Sequence, residues 1–391
     1  MRLGAGAARR RRGRSIGAPP TAPSVAFGDS SPAEAVEHLG SQILHRAAGE
    51  VDRAARRETE GAFRRRSAIV AAALALAACS GQPPLPTQPV MAGPQITVYA
   101  TAAPLDPNEP ARTRIGGFTY AGGLLLTSPD TSRLHGLSDL VVRPDGRLLA
   151  VSDDGDRFEA RLVLDGAGRL TGVTDASLVP LAGEDGQPLS SRGKAGADAE
   201  GVALLADGAV LVSFERDHRI LLYPPNGGPP RRAPHPRADF SGNAGMEALA
   251  ADPARGPDAY IVGAEAGGRT WSCTLSAGCA ESHRPALPGE AGLVAVTPLP
   301  DGGRAYLFRA FSLLKGVRST LRIVDAQSAT VDELKLAAPL TVDNFEGLAA
   351  APRDDGSIRF YLLSDDNFSR LQRTLLLAFD WRPPTQARRT P

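Results

Sequence analysis

The feature that most constrains this chain is a hairpin pattern that it repeats. Asp343-Asn344-Phe345-Glu346-Gly347-Leu348-Ala349 runs to a turn at Asp355-Gly356, and Phe360-Tyr361-Leu362-Leu363-Ser364-Asp365-Asp366-Asn367 runs back. An apolar strand, an Asp-Gly turn and a returning apolar strand make a β-hairpin. Glu346 lies nine positions before Asp355 and Asp365 nine after Gly356. Positions equidistant from a turn face one another in an antiparallel pair, so two carboxylates are expected to meet at the open end.

The pattern recurs upstream. Glu200 and Glu215 flank Asp207-Gly208, and Glu247 and Glu265 flank a Pro253 to Pro257 turn. Ser138 and Asp153 flank Asp145-Gly146, and a degenerate copy around Asp301-Gly302 ends on Arg309. The first key positions fall at 138, 200, 247, 294 and 346, with gaps of 62, 47, 47 and 52 residues. Short strands at a period of about 40–50 residues are the signature of a β-propeller. Together with a blade shared between the N- and C-terminal strands (Ile96 to Ala100, Gly117 to Thr127, Arg373 to Trp381), the five hairpins predict an all-β propeller of six blades over 95–385.

The first 66 residues differ from the rest. They hold 13 Arg against 7 acidic residues, leaving a net charge of −5 on residues 67–391. The run Arg9 to Arg12 could bind nucleic acid or an anionic membrane, but no aromatic or folded element accompanies it. Residues 1–61 therefore read as a disordered leader, or as sequence translated from too early a start. Arg64-Arg65-Arg66, eleven apolar residues from Ala68 to Ala78, and then Cys79 have the layout of a secretory signal over 62–79. The apolar run is too short to span a bilayer as a helix. Leu76-Ala77-Ala78-Cys79 resembles the bacterial lipobox, which implies lipidation of Cys79; Ser80 after it implies an outer-membrane destination. Residues 80–94, rich in Pro, Gly and Gln, read as a tether. Cys273 and Cys279 suit a small disulfide loop in an exported chain, and no second pair has zinc-ligand spacing.

Equivalent positions of successive blades meet around a propeller's channel. Glu200, Glu215, Glu247, Glu265, Glu346, Asp365 and Asp153 are therefore expected to converge, and to repel unless a cation neutralises them. Oxygen ligands alone select a hard ion, Ca²⁺ most easily, with Mg²⁺ or Mn²⁺ as alternatives. Arg309 would point a cation into the same mouth. Arg216, His218, Lys315, Arg318, Arg370 and Arg373 lie near repeat ends, where positive charge would suit a small anionic ester. The chain has no G-x-S-x-G elbow, H-E-x-x-H, P-loop or G-x-G-x-x-G before a helix. His135, Ser138 and Asp139 make a weak triad, because neighbours on a strand alternate faces.

Gly-Leu-Ser-Asp-Leu (136–140), Ser-Asp-Asp-Gly (152–155), Asp-Ala-Glu-Gly-Val-Ala (198–203), Phe-Glu-Arg (214–216), Asn-Ala-Gly-Met-Glu-Ala-Leu (243–249), Asp-Asn-Phe-Glu-Gly-Leu-Ala (343–349) and the closing 364–379 stretch resemble the "esterase-like activity of phytase" family. The resemblance covers roughly Gly116 to Trp381 and implies an exported β-propeller with phytase- or esterase-like hydrolase activity. The expected chemistry is metal-dependent hydrolysis of phosphate or other esters outside the cytoplasm. Glu200, Glu247, Glu346 and Asp365 would hold Ca²⁺, a neighbouring carboxylate would act as base, and Arg309 and Arg216 would stabilise negative charge. A lactonase using the same acids is one alternative. The other is a non-catalytic propeller lipoprotein that binds a ligand or partner at the cell envelope, with a structural Ca²⁺; under any of these readings a monomer with no nucleic-acid partner is expected.

Overall fold

A computed structural model of the chain describes residues 94–240 and 245–384. The expected leader, the signal with Cys79 and all of the tether but Pro94 lie outside the described residues. Among the described residues no helix is long and apolar enough to cross a membrane.

Four of the five inner hairpins turn alike. Gly146, Gly208, Gly302 and Gly356 hold φ values of 79°, 88°, 84° and 78°, the left-handed region that a residue with a Cβ avoids. Each preceding Asp accepts a hydrogen bond through Oδ1 from the backbone two residues on: Arg147, Ala209, Gly303 and Ser357 donate at 3.1, 2.9, 2.9 and 2.9 Å. The Asp-Gly pairs are thus the punctuation that sets each hairpin's register.

The strands β1 (Tyr99–Ala102), β2 (Arg114–Ile115) and β3 (Phe118–Thr127) come first. The first blade is β4 (Leu137–Val142), β5 (Arg147–Ser152), β6 (Asp156–Leu164) and β7 (Leu170–Pro180). The second is β8 (Ala199–Leu204), β9 (Val210–Phe214), β10 (Arg219–Tyr223) and β11 (Arg231–Ala233). The third is β12 (Ala248–Ala251), β13 (Ala259–Gly263), β14 (Thr270–Thr274) and β15 (Gly278–Glu281). The fourth is β16 (Gly292–Pro298), β17 (Arg304–Ser312), β18 (Gly316–Val324) and β19 (Thr330–Ala337). The fifth runs β20 (Asn344–Pro352), β21 (Ile358–Asp365), β22 (Leu375–Trp381), β3 and β1, with β2 on β3.

The fold is therefore an all-β propeller of five blades, not six. The hairpin from Asn344 to Asp365 is itself the inner half of the blade that the termini complete, because β22 pairs with β21 on one side and with β3 on the other. The chain ends close the ring without adding a blade. The apolar packing gives the same number. Five buried clusters each fill one seam between neighbouring sheets, such as Leu149, Val151, Val212 and Phe214 between the first and second blades. Leu307, Leu321, Phe345 and Phe360 fill the seam between the fourth and fifth. Bulky β-branched, Leu and aromatic residues facing both sides of each strand let every sheet serve two seams.

The innermost strands β4, β8, β12, β16 and β20 pack against one another in a ring. Asp139 clasps three of them. Its Oδ1 accepts from the N–H of Leu140 at 2.8 Å and of Leu348 at 3.3 Å, and its Oδ2 from the N–H of Val202 at 2.9 Å. Those donors belong to β4, β20 and β8. Replacing this buried side chain leaves three backbone donors without partners in the interior. Asp139→Ala should lower unfolding stability by about 3 kcal/mol or more, and Asp139→Asn by less, measured by chemical denaturation. Equal stability in Asp139→Ala and the parent would contradict the clasp.

Candidate metal and catalytic centre at the mouth

The acids of the repeats stand at one end of the ring because of a recurring irregularity in the inner strands. In β4 the register with β5 jumps between Leu137 and Asp139, leaving Ser138 outside the ladder. The same jump frees Glu200 between Ala199 and Gly201, Val294 between Leu293 and Ala295, and Glu346 between Phe345 and Gly347. In the third blade the ladder begins at Ala248, and Glu247 stands just ahead of it. Ser138, Glu200, Val294 and Glu346 are each the extra residue of a β-bulge, a device that re-aims a side chain near functional sites. The bulge also corrects the expected register. Asp365 pairs with Asn344 rather than with Glu346, and the Glu215 N–H reaches the Asp198 carbonyl at 2.8 Å rather than facing Glu200.

The glycine after two of these acids has a steric cause. A Cβ on Gly201 would lie 2.6 Å from the Glu247 carbonyl oxygen, and one on Gly347 would lie 2.8 Å from Leu140 Cδ2. Neighbouring inner strands therefore approach over a bare backbone, and this draws their acids together.

The carboxylates sort into three zones. Asp198, Glu200 and Glu215 each place an oxygen within 4.8 Å of the others. An ion with metal–oxygen distances of about 2.4 Å spans that separation. Asp198 is fully buried and Glu215 nearly so, whereas Glu200 keeps some contact with the channel. Asp198 Oδ2 accepts from Arg216 Nε at 2.6 Å, while its Oδ1 has no hydrogen-bond donor and lies 3.3 Å from Lys194 Nζ. In the second zone Lys194 Nζ donates to Asp153 Oδ2 at 2.6 Å, with Asp153 Oδ1 left without a donor. The third zone is built on Arg309. Its Nη2 donates to Glu265 Oε1 at 2.9 Å, and its Nη1 donates to Asn344 Oδ1 at 2.7 Å and to Glu346 Oε1. Asn344 Nδ2 also donates to Glu346 Oε1 at 3.0 Å and reaches Asp365 Oδ2 at 3.4 Å. Among the described residues no donor or cation pairs with the carboxylates of Glu200 or Glu247.

Charge so concentrated shifts its own protonation. Burial, then Glu247 and Asp198, push Glu200 well above the ordinary carboxylate range. Burial and Glu265 do the same to Glu247, with Arg309 opposing, and burial and Glu346 do so to Asp365. Burial raises Glu346 against the pull of Arg309. Burial with Asp198 raises Glu215 to about 7, and burial raises Asp153 to about 7 even though Lys194 opposes it. Burial works against charge on Arg309 and Lys194, but the carboxylates around each outweigh it and hold both cationic.

The structure thus brings all seven expected acids and Arg309 and Arg216 to one mouth, but in separate groups rather than as one ring of ligands. Of the other cations, Arg373 is held by Asp343 at 3.0 Å, Arg318 lies beside Ser312, and Lys315 and Arg370 are exposed. His218 stacks near Phe240, with ring centroids 5.2 Å apart. His135, Ser138 and Asp139 form no triad: Asp139 is committed to backbone N–H groups, and His135 packs edge-on against Phe368 at 4.0 Å. Cys273 and Cys279 are cross-strand partners of β14 and β15, joined by a disulfide.

Three central residues, Asp198, Asn344 and Lys194, were not among the expected site residues. Asp198 sits two positions before Glu200, the spacing that shares a strand face; Asn344 sits likewise before Glu346, and that repeated i, i+2 pair was the available signal. Lys194 begins a one-turn helix, α1 (Lys194–Ala197), inside a stretch that reads only as a polar loop.

Solved structures with a similar trace are distant in sequence. A protein assigned as a gluconolactonase is 15% identical with a TM-score of 0.39, the match covering 74% of this chain and 96% of that one. A selenomethionine-substituted virginiamycin B lyase from Staphylococcus aureus is 12% identical with a TM-score of 0.37, covering 72% and 99%. A streptogramin B lyase is 10% identical with a TM-score of 0.36, covering 74% and 100%. No curated protein matches the chain in sequence. The family model described as "Phytase-like: Esterase-like activity of phytase" matches residues 132–368, the span that carries the bulged acids, and the chain belongs to that family.

Proposed function

We propose that the protein is an exported, monomeric, metal-dependent hydrolase of esters, lipid-anchored at Cys79 on the periplasmic side of the outer membrane. The observation that carries the catalytic reading is the trio Asp198, Glu200 and Glu215, two of them buried and Glu200 open to the channel, whose oxygens lie within 4.8 Å of one another. The trio suits Ca²⁺, with Mg²⁺ or Mn²⁺ as smaller alternatives. A bound divalent ion there supplies Lewis acidity toward an ester oxygen and a lowered pKa for water.

The chain's own residues supply the rest. Glu247 has no competing donor and an affinity for protons raised by burial, which suits it to take a proton from water at near-neutral pH. Arg309 and Asn344 both donate to Glu346 Oε1, so its carboxylate is held in place at the mouth wall. Arg216 and Arg309 offer positive charge on opposite flanks to an oxyanion or to the acid part of the ester, although both also hold carboxylates. Asp153, Asp198, Glu200, Glu215, Glu247, Glu265, Glu346 and Asp365 outnumber Lys194, Arg216 and Arg309, an imbalance that disfavours a multiply charged phosphate unless it arrives with metal. This favours carboxylic esters and lactones over phosphate esters.

The acids also set a pH dependence of stability. Glu215 and Asp153 hold protons up to about 7 in the fold but release them near their ordinary range when unfolded. The folded state then binds more protons than the unfolded between about pH 4 and pH 7, so stability is full below about 4, falls as pH rises toward 7 and levels off above it. Without metal the melting temperature should drop by about 5 °C or more between pH 5 and pH 8, and Ca²⁺ should remove most of that drop. A melting temperature that rises over this range without metal would contradict the proposed protonation.

Activity is tested on the full chain with p-nitrophenyl acetate, a lactone, p-nitrophenyl phosphate and phytate. Turnover of the first two that is lost with chelator and restored by Ca²⁺ is expected. Glu247→Gln should lower kcat by roughly 10²-fold or more, with Ca²⁺ stabilisation retained. Glu200→Gln should weaken both Ca²⁺ stabilisation and turnover. No turnover of any of the four, with Ca²⁺ still stabilising, would instead favour a binding module with a structural ion.

A further inference from the structure

The mouth carries a second, unlike surface on its rim. β17 runs on past Arg309, which pairs with Gly292, to Ser312, and β18 returns from Gly316. That hairpin therefore stands above the acidic centre by three residue pairs. Its tip exposes Phe311 at 58%, Leu313 at 78% and Leu314 at 98%. On the neighbouring fifth blade the loop after Asp365 opens at the same face and exposes Leu371 at 89%. Lys315 and Arg370 stand exposed beside these side chains, and among the described residues neither has an acidic partner. Single exposed apolar residues are ordinary. Two adjacent rim loops each pairing bare leucine with unpaired positive charge are not.

The chain enters at this same face. The Leu178 N–H donates to the Pro94 carbonyl at 2.8 Å, near the end of β7 that lies at the mouth. The 14 residues between Cys79 and Pro94 span at most about 50 Å. A lipid on Cys79 would hold the propeller from its mouth side, with the mouth within reach of the bilayer.

We infer that the rim formed by Phe311, Leu313, Leu314 and Leu371, with Lys315 and Arg370, is a docking surface for an anionic lipid bilayer. The apolar tips enter the interface, and the two cations meet lipid headgroups. The mouth then faces the membrane, where the esters within its reach are those of lipids or of molecules concentrated at the surface. The docking rests on the proposed export, but not on the proposed catalysis.

The basic leader can itself bind anionic vesicles, so the test reads orientation rather than binding. In full-length protein carrying Cys79→Ser, an environment-sensitive fluorophore is placed at Leu371→Cys, Leu314→Cys or, as control on the opposite face, Gln327→Cys. Vesicles of phosphatidylcholine with phosphatidylglycerol should cause a blue shift and a severalfold gain in emission at 371 and 314, with no change at 327. Adding Leu313→Ser and Leu314→Ser to the 371-labelled protein should weaken that response roughly tenfold in lipid concentration, with an unchanged melting temperature. Probes at 314 and 371 that stay aqueous on vesicle-bound protein would overturn the inference. So would equal responses at all three sites, or a blue shift that grows with protein concentration without vesicles, which would assign the rim to a second copy of the chain. These readouts do not involve turnover, so an inactive enzyme leaves the test intact.

Discussion

Five inner strands share one axis, and near the mouth end of each, in a bulge or just ahead of the ladder, stands a residue that its own ladder does not hold. That constraint governs the molecule. Closing the ring forces neighbouring inner strands into contact over Gly201 and Gly347, where no Cβ fits. The bulges at Glu200 and Glu346 then aim their side chains along the channel mouth, whereas the same bulge in the fourth blade leaves Val294 buried in the seam with the fifth. The acids meet because the seams and the bulges leave them no other direction.

Concentrated acid is destabilising, and the fold answers it in two ways with its own residues. Arg309 stands where the fourth blade lacks an acid and binds the Glu346 and Glu265 carboxylates of the blades on either side. Lys194 comes from the loop between the first two blades and bridges Asp153 and Asp198. The two cations leave Glu200 and Glu247 unanswered. There burial and mutual repulsion raise proton affinity without a paired cation, and there an external cation would stabilise the protein. Asp139 is a different use of a buried acid: its oxygens are filled by backbone N–H groups, and it ties the ring instead of serving the mouth.

Much of this was legible in the chain. Asp-Gly turns flanked by apolar runs fixed the hairpins, their spacing gave the propeller, and the strand-end acids gave the mouth. What was illegible depends on a single residue of register or on loops. A bulge shifts pairing by one, so symmetry about the turn set Glu346 against Asp365 when Asn344 is the actual partner. The blade count failed because Leu375–Trp381 looks the same in sequence whether it completes an existing sheet or founds another. Lys194 reaches the site from a segment with no strand periodicity, and Asp198 was passed over although it shares the face of Glu200.

The central claim is that the trio Asp198, Glu200 and Glu215 binds a divalent cation in competition with protons. Calorimetric titration of the full chain with Ca²⁺ at pH 6.5, repeated in two buffers of different ionisation enthalpy, tests it most directly. Saturable binding is expected, with release of about one proton per ion from Glu215, raised to about 7, and Glu200, raised by burial and its acidic neighbours, and loss of both in Glu200→Gln. Binding without proton release that survives Glu200→Gln, or no binding at millimolar Ca²⁺, would contradict it.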